Sequence, residues 1–338
     1  MVKHADELSL EEISNICNCF NITFSSANPL RFSLYRFPEE WIERFIAPLR
    51  SGRYQDVIVG LIKKEKRVIG TTILTLKRVN IQRERVIAGF FDDVAVHPRF
   101  QGRGLGKKVF GSVEAFLNES DALFGLLFTA YNGRAHKMYV KFGFKDLIHM
   151  RMLFRIVNRR LFSSLIARKI AKPLLYLIPK RKIPPFSNVI FQNLDEALKR
   201  YEEIGNLMVL YDQVTEDMLR RVRVVAYKND AIACGSIRLF TNINGAKIPV
   251  GIISNIVARK WNEDVIDIIS ALAKKLSEYS VATIITHALE GDMLNCLKRA
   301  GFYIVPRKIV GMIKWIGKEI RINESNIYLP TEHIVGEF

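Results

Sequence analysis

Apolar and polar positions alternate along this chain in two similar runs. From Gln55 to Pro98 the pattern predicts strands: VIVGLI, a turn-rich KKEKR, VIGTTILTL, a polar gap and VIAGFFDDVAV, each rich in β-branched residues. Before them, PEEWIERFIAPL has helical spacing with acids near its start. After a glycine-rich stretch, KKVFGSVEAFLNES predicts an amphipathic helix and LFGLLFTA a short strand. NGRAHKMYVKF predicts a helix stopped at Gly143, and FKDLIHMRMLFRIV a final strand or strand pair.

The second half repeats this order. VRVVAYK, NDAIACGSIRLF and IPVGIISNIVA read as strands joined by hairpin turns; WNEDVIDIISALAKKLSEYS is a helix, VATIITHAL a strand, GDMLNCLKRA a helix and IVGMIKWI a last strand. Gly301-Phe302 then falls where Gly143-Phe144 fell, and Val257 where Val96 fell, with similar spacings between landmarks. Matching order and spacing point to an internal duplication. The fold class expected is α+β, two domains each with a mixed, mostly antiparallel sheet flanked by helices. The expected boundaries are 1–157, a basic apolar linker at 158–186, and 187–338.

Composition changes the picture in one place. With 338 residues, 49% hydrophobic and 25% charged, the chain has ample core material for two domains. The polar, acidic start MVKHADELSLEE is unlike a secretory leader, and no apolar run is long enough to span a bilayer. Four cysteines (Cys17, Cys19, Cys234, Cys296) show no metal-ligand spacing, so no metal and a cytoplasmic setting are expected. The net charge of +17 is uneven: residues 1–150 carry +6, residues 151–182 carry ten cations and no acid, and residues 183–338 carry +1. No nucleic-acid motif accompanies the basic segment, which argues against a nucleic-acid partner. In that segment Ile166, Ile170, Leu174 and Leu177 share a helical side and Arg168 and Lys172 oppose them, with Lys169 spoiling the separation. The pattern fits a helix on an anionic surface, or a linker packed between domains with solvated cations; the second is favoured because much of the segment continues a strand.

The candidate chemistry starts at VAVHPRFQGRGLGKKVF, Val94 to Phe110. Three glycines between a strand and a helix allow positive φ and close approach, and free N–H groups at a helix start attract anions. Lys107 and Lys108 stand in the helix's first turn, the wrong end for the macrodipole unless an anion is near.

Two motifs, V-x-V-x-P-x-x-Q-G-x-G-x-G and then N-x-x-A-x-x-x-Y-x-x-x-G-F, resemble the GNAT superfamily of acyl-CoA N-acyltransferases over about residues 10–157. The residues are Val94, Val96, Pro98, Gln101, Gly102, Gly104 and Gly106, then Asn132, Ala135, Tyr139, Gly143 and Phe144. The resemblance implies acetyl-CoA as co-substrate. Its pyrophosphate would lie on the amides from Gln101 to Gly106, with Leu105 and Lys107 in the same turn, and Arg99 and Arg103 within reach of the outer phosphate. Its pantetheine would lie like an added strand along Val94, Ala95 and Val96, with Asn132 contacting it. Tyr139 would be the general acid for the thiolate leaving group; a phenol of pKa about 10 can donate at neutral pH.

Asp92 and Asp93 interrupt an apolar strand. Alternation puts Asp92 with the valines and Asp93 on the other face, so one of them, Asp93 if the valines face the core, is a candidate base for the attacking amine. The alternative is that they order a hairpin or pair with Arg85 or Arg134. His97 and His136 read as loop or structural residues rather than bases. In the second half VARKWNEDVIDII lacks the glycines and crowds Glu263, Asp264 and Asp267 into the helix start, and Leu297 replaces Tyr139. That half is expected to lack the chemistry and to shape the acceptor cleft. Function is thus read as N-acetyl transfer to an amine acceptor; the alternative is a non-catalytic CoA-binding protein that recruits a partner.

Overall fold

A computed structural model of the protein describes residues 1–27, 32–82, 84–165, 177–179, 181–191, 193–205, 210–211, 222–242, 244–320, 322 and 327–328. The first half begins with strand β1 (Val2–His4) and helix α1 (Leu10–Ala27), then β2 (Phe32–Leu34), α2 (Pro38–Trp41), a π-turn (Ile42–Ile46) and α3 (Ala47–Arg50). Its repeat unit follows: β3 (Tyr54–Lys64), β4 (Arg67–Ile81), β5 (Glu84–Val96), α4 (Leu105–Glu119), β6 (Phe124–Ala130), α5 (Arg134–Lys141) and β7 (Lys145–Ile156). After α6 (Arg159–Leu165), β8 (Ile190–Phe191), α7 (Leu194–Gly205) and β9 (Leu210–Tyr211), the unit recurs as β10 (Val224–Lys228), β11 (Ala231–Asn242), β12 (Lys247–Ala258), α8 (Glu263–Ser277), β13 (Thr283–Leu289), α9 (Asp292–Arg299) and β14 (Tyr303–Trp315), with β15 (Ile327–Tyr328) beyond it. The class is α+β with a mostly antiparallel sheet, as the pattern predicts; α1 and α7 were not apparent in it.

The two halves do not form two sheets. They share one, in the order β1-β3-β4-β5-β6-β14-β7-β13-β12-β11-β10-β8. Each half gives its last strand to the other. β14 lies antiparallel between β6 and β7, and β7 lies antiparallel against β13. The exchange also places a cation at the C-terminal end of the other half's short helix. Arg155 of β7 donates to the carbonyls of Ala300 and Gly301 after α9, and Lys314 of β14 packs beside Gly143 after α5, where it pairs with Glu114. Cations are stabilised at these ends by the exposed carbonyl groups.

β5 and β6 pair in parallel, as do β12 and β13, and each of these pairs opens. β5 and β6 pair from Ala88↔Phe124 to Phe91↔Leu127, then part. β12 and β13 pair only at Gly251↔Ile284 and Ile252↔Ile285. Beside each opening the outer strand is bulged and carries one non-glycine residue at positive φ, Asp93 (48°) and Asn255 (52°). This sets the register of the structural repeat. Asp93 corresponds to Asn255 and Val96 to Ala258, each ending its strand, so the sequence alignment of Val96 with Val257 is one residue short.

Helices cover both faces of the sheet. Phe110, Val113 and Leu117 of α4 pack with Leu74, Phe91, Tyr139, Val310 and Met312, so the donated β14 is part of the first half's core. On the opposite face, Ile13 and Ile16 of α1 pack with Val57, Val59, Ile73 and Ala95. In the second half Ile268, Ile269 and Leu272 of α8 pack against Ile253, Ile284 and the donated Leu153.

The basic segment is partly accounted for. Arg151 pairs with Glu290 (2.9 Å), and Arg181 donates to the Phe302 carbonyl (3.0 Å) and stacks over Tyr303. The amphipathic stretch read from Ile166 to Leu174 lies outside the described residues. Among the described residues no helix is long and apolar enough to cross a membrane.

His287 on β13 is fully buried, and burial pushes its pKa down from 6.5 to about 3. The folded chain therefore refuses a proton that the unfolded chain accepts below about pH 6.5, so this group's contribution to stability is lost as pH falls from 6.5 toward 3. His287→Phe should flatten the pH dependence of the unfolding free energy between about pH 6 and 4 by about 1.4 kcal/mol per pH unit, the value of one proton. Denaturant melts at stepped pH read this directly, and parallel curves for parent and variant would refute it.

Candidate active site

The opening between β5 and β6 is where the predicted residues converge. From Asp92 to Val96, β5 keeps β4 on one side, with Gly70↔Val96 and Thr71↔Ala95 paired, and among the described residues has no strand on the other. An extended ligand can add to such a free edge through main-chain hydrogen bonds. Val94 and Val96 are half-buried, and Ala95 is buried in the core under α1.

At the end of β5 the chain turns through Pro98–Phe100. The His97 ring accepts from the Arg99 amide at 3.3 Å, which assigns His97 to the turn. Gln101 folds back and donates its side-chain amide to the Val96 carbonyl at 2.9 Å, so the side chain fastens the loop to the strand. Gly102 (φ 79°) and Gly104 (φ 75°) are left-handed, and a Cβ on either would meet nothing within 4 Å. Gly104 caps α4, whose first residues are Leu105, Gly106 and Lys107. Gly106 is helical, and a Cβ there would make ordinary contacts with Val96 (3.7 Å) and Met138 (3.8 Å). Arg99, Arg103, Lys107 and Lys108 are exposed around this turn. Left-handed glycines, open space and cations at a helix start make an anion cradle that fits a pyrophosphate. Asn132, left-handed (φ 59°) and exposed, lies across the opening between β6 and α5.

Gly104→Asp tests the cradle. Asp is a good N-cap and tolerates left-handed backbone better than most residues, so the fold should survive. Its charge would face a phosphate held on the loop. Acetyl-CoA affinity should fall at least about tenfold, equal to about 1.4 kcal/mol, and an unchanged calorimetric Kd would place the cofactor elsewhere.

Beyond the bulge, one pocket is lined by Phe20, Phe24, Arg36, Phe91, Asp92, Asp93, Val94, Leu127, Phe128 and Tyr139. Tyr139, on the inner face of α5, is buried and held between Phe110 and Phe144. Both aspartates are buried as well, because the bulge at Asp93 breaks the alternation that would have sent them to opposite faces. Their partners are neither Arg85 nor Arg134. Arg44 donates to Asp92 at 2.8 Å and Arg36 to Asp93 at 3.2 Å. The second oxygen of Asp93, Oδ2, is buried without a hydrogen-bond partner among the described residues.

The arginines were not found from sequence. Asn21 of α1 grips the main chain of Arg36 twice, accepting from its N–H (2.7 Å) and donating to its C=O (3.0 Å). The guanidiniums of Arg36 and Arg44 stack on Phe20 and Phe45. One signal was available: two carboxylates inside an apolar strand require buried cations. Arg44, on a helix otherwise apolar on its inner face, was the candidate to weigh. His136 is structural, paired with Asp146 at 2.8 Å.

The thiols near the site are inert. Burial pushes Cys17 up to about 12 and Cys19 up to about 11. Among the described residues no group of His, Cys, Asp and Glu is arranged to hold a metal ion.

At the corresponding helix start of the second half, the cradle is replaced by ion pairs. Asn262 caps α8 by accepting from the Asp264 amide (3.0 Å), Lys228 pairs with Asp264 and Asp267, and Arg299 pairs with Glu263.

Residues 20–144 match the model of the acetyltransferase (GNAT) family. No curated sequence relative matches the chain. Among solved structures, the N-myristoyltransferase of Saccharomyces cerevisiae with bound myristoyl-CoA superposes over 94% of this chain and 83% of its own, at a TM-score of 0.66 and 8% identity. A GCN5-related N-acetyltransferase from Sphaerobacter thermophilus superposes over 95% of this chain and 97% of its own, at a TM-score of 0.58 and 12% identity. Residues 20–144 are thus a domain of the acetyltransferase (GNAT) family, and the chain as a whole has the acyl-CoA N-acyltransferase fold.

Proposed function

We propose that the chain moves an acetyl group from acetyl-CoA directly to the amine of an acceptor, within a ternary complex. The observation that carries this reading is the pocket at the β5–β6 opening, where Tyr139 and Asp93 line the same space and the glycine cradle follows at the end of the Asp93 strand. The neutral amine nitrogen attacks the thioester carbonyl carbon. As the C–S bond breaks, the departing sulfur takes the Tyr139 phenol proton, and the proton leaving the nitrogen passes to Asp93, directly or through a water. Asp92, held by Arg44, stands beside it. Arg36 fixes Asp93 and leaves one of its oxygens available. The raised thiols of Cys17 and Cys19 support direct transfer over an acyl-cysteine intermediate.

A short acyl group fits the walls. Phe20, Phe24, Phe91 and Phe128 crowd the pocket, and the sheet closes again at Phe91↔Leu127. The ion pairs at the α8 start support one cofactor site per chain, with the second half as a wall of the acceptor cleft.

The test is acetyl-CoA with pooled amines, read as released thiol, alongside a calorimetric titration. Amine-dependent thiol release and a stoichiometry of one are expected. Binding without release for any amine would favour a CoA-binding protein, and a stoichiometry of two would overturn the single site.

A further inference from the structure

A second cavity joins the two halves on the α1 face of the sheet. The first half contributes Arg36, Glu40 and Arg44, and the second contributes Ser236 and Arg238 from β11 and Ser254 from β12. Ser236 pairs with Ile252, and Ser254 with Cys234, so the two serines are diagonal neighbours on one face. Arg36 also lines the pocket that holds Tyr139 and Asp93. Arg36, which holds Asp93, is therefore the wall that the two spaces share.

We infer that this cavity seats the acceptor and selects a compact primary amine bearing hydroxyl groups, of the amino-sugar class. The inference rests on the proposed acetyl transfer. Each guanidinium in the wall already holds a carboxylate: Arg36 with Asp93 (3.2 Å), Arg44 with Asp92 (2.8 Å) and Arg238 with Glu40 (3.2 Å). An acceptor carrying its own carboxylate would have to break one of these buried or half-buried pairs. Beside the carboxylates of Glu40 and Glu43, the polar side chains in the wall are the hydroxyls of Ser236 and Ser254. These residues are 6% and 5% exposed, and neither side chain has a hydrogen-bond partner among the described residues. A serine hydroxyl both donates and accepts, which suits a ligand hydroxyl that does the same. An apolar amine would exclude water from both serines and the ion pairs and return no hydrogen bond.

The experiment uses the full chain, acetyl-CoA and three probe amines: glucosamine, L-alanine and n-hexylamine. Thiol release should show a kcat/KM for glucosamine at least about tenfold above the other two, a floor for discrimination by hydrogen bonding. The double variant Ser236→Ala/Ser254→Ala should raise KM for glucosamine at least about fivefold, toward the cost of two lost hydrogen bonds, while calorimetry finds acetyl-CoA bound as in the parent. That titration also shows that the variant is folded. Equal use of the three amines, preference for alanine or hexylamine, or an unchanged KM in the variant overturns the inference and leaves acetyl transfer standing. Failure of the parent to bind acetyl-CoA, or to release thiol with any amine, overturns acetyl transfer itself and the inference with it.

Discussion

Tyr139→Phe should bind acetyl-CoA as tightly as the parent and turn over at least about tenfold more slowly, a conservative floor under the 10²–10⁴ that general acid catalysis supplies. The substitution keeps the ring that packs between Phe110 and Phe144 in the core under α4. It removes one hydroxyl, whose loss costs folding about 1 kcal/mol, so the melting temperature should move little. What disappears is the proton for the thiolate. The loss should appear in kcat and equally in kcat/KM, the mark of an interaction made only in the transition state. It should shrink for a thioester with a better leaving group, such as an acetyl thiophenol, because that sulfur leaves without a proton. Full turnover by Tyr139→Phe on a confirmed acceptor would reduce Tyr139 to a core residue. A loss that is the same for both thioesters would assign it to positioning.

The parts of the molecule governed by short-range pattern were legible in the sequence. Alternation gave β3 to β5 and β10 to β12. Helical spacing and Gly143 gave α5, and the glycine run gave the left-handed turn into α4. The structure bears these out because each depends on residues within one turn or one hairpin. What escaped the sequence depends on contacts across it. The bulge at Asp93 follows from how β4 and β5 share a register, and no local signal marks a non-glycine residue for positive φ. Arg36 reaches Asp93 across 57 residues and Arg44 reaches Asp92 across 48, whereas sequence reasoning weighed cations nearer in the chain. Ser236 and Ser254 look like any polar residue in a strand. Only the packing of the halves buries them beside the first half's arginines.

The exchange of β7 and β14 escaped for the same reason, and it leads to the second large effect. A chain ending at residue 157, the boundary that composition and resemblance favour, should not fold. In the intact protein β14 fills the space between β6 and β7, paired with β6 from Ile309↔Ala130 to Trp315↔Phe124 and with β7 on its other side. Without it β6 and β7 face each other across a missing strand, and unpaired main chain lies open along both. The core loses Val310 and Met312 beneath α4, and Ile309 and Ile313 on the opposite face. Gly311 sits so close to Phe128 and Ile148 that even a Cβ there would meet both within 3 Å, so a loop or solvent is a poor substitute. Residues 158–338 alone should fail for the matching reason, since β13 would lose β7 and the α8 core would lose Leu153. Produced together, the two fragments should assemble, because each carries the strand the other needs. Size-exclusion chromatography and circular dichroism of the fragments, alone and co-expressed, read the outcome. A monomeric 1–157 fragment with a cooperative melt would show that the first half closes its sheet without β14.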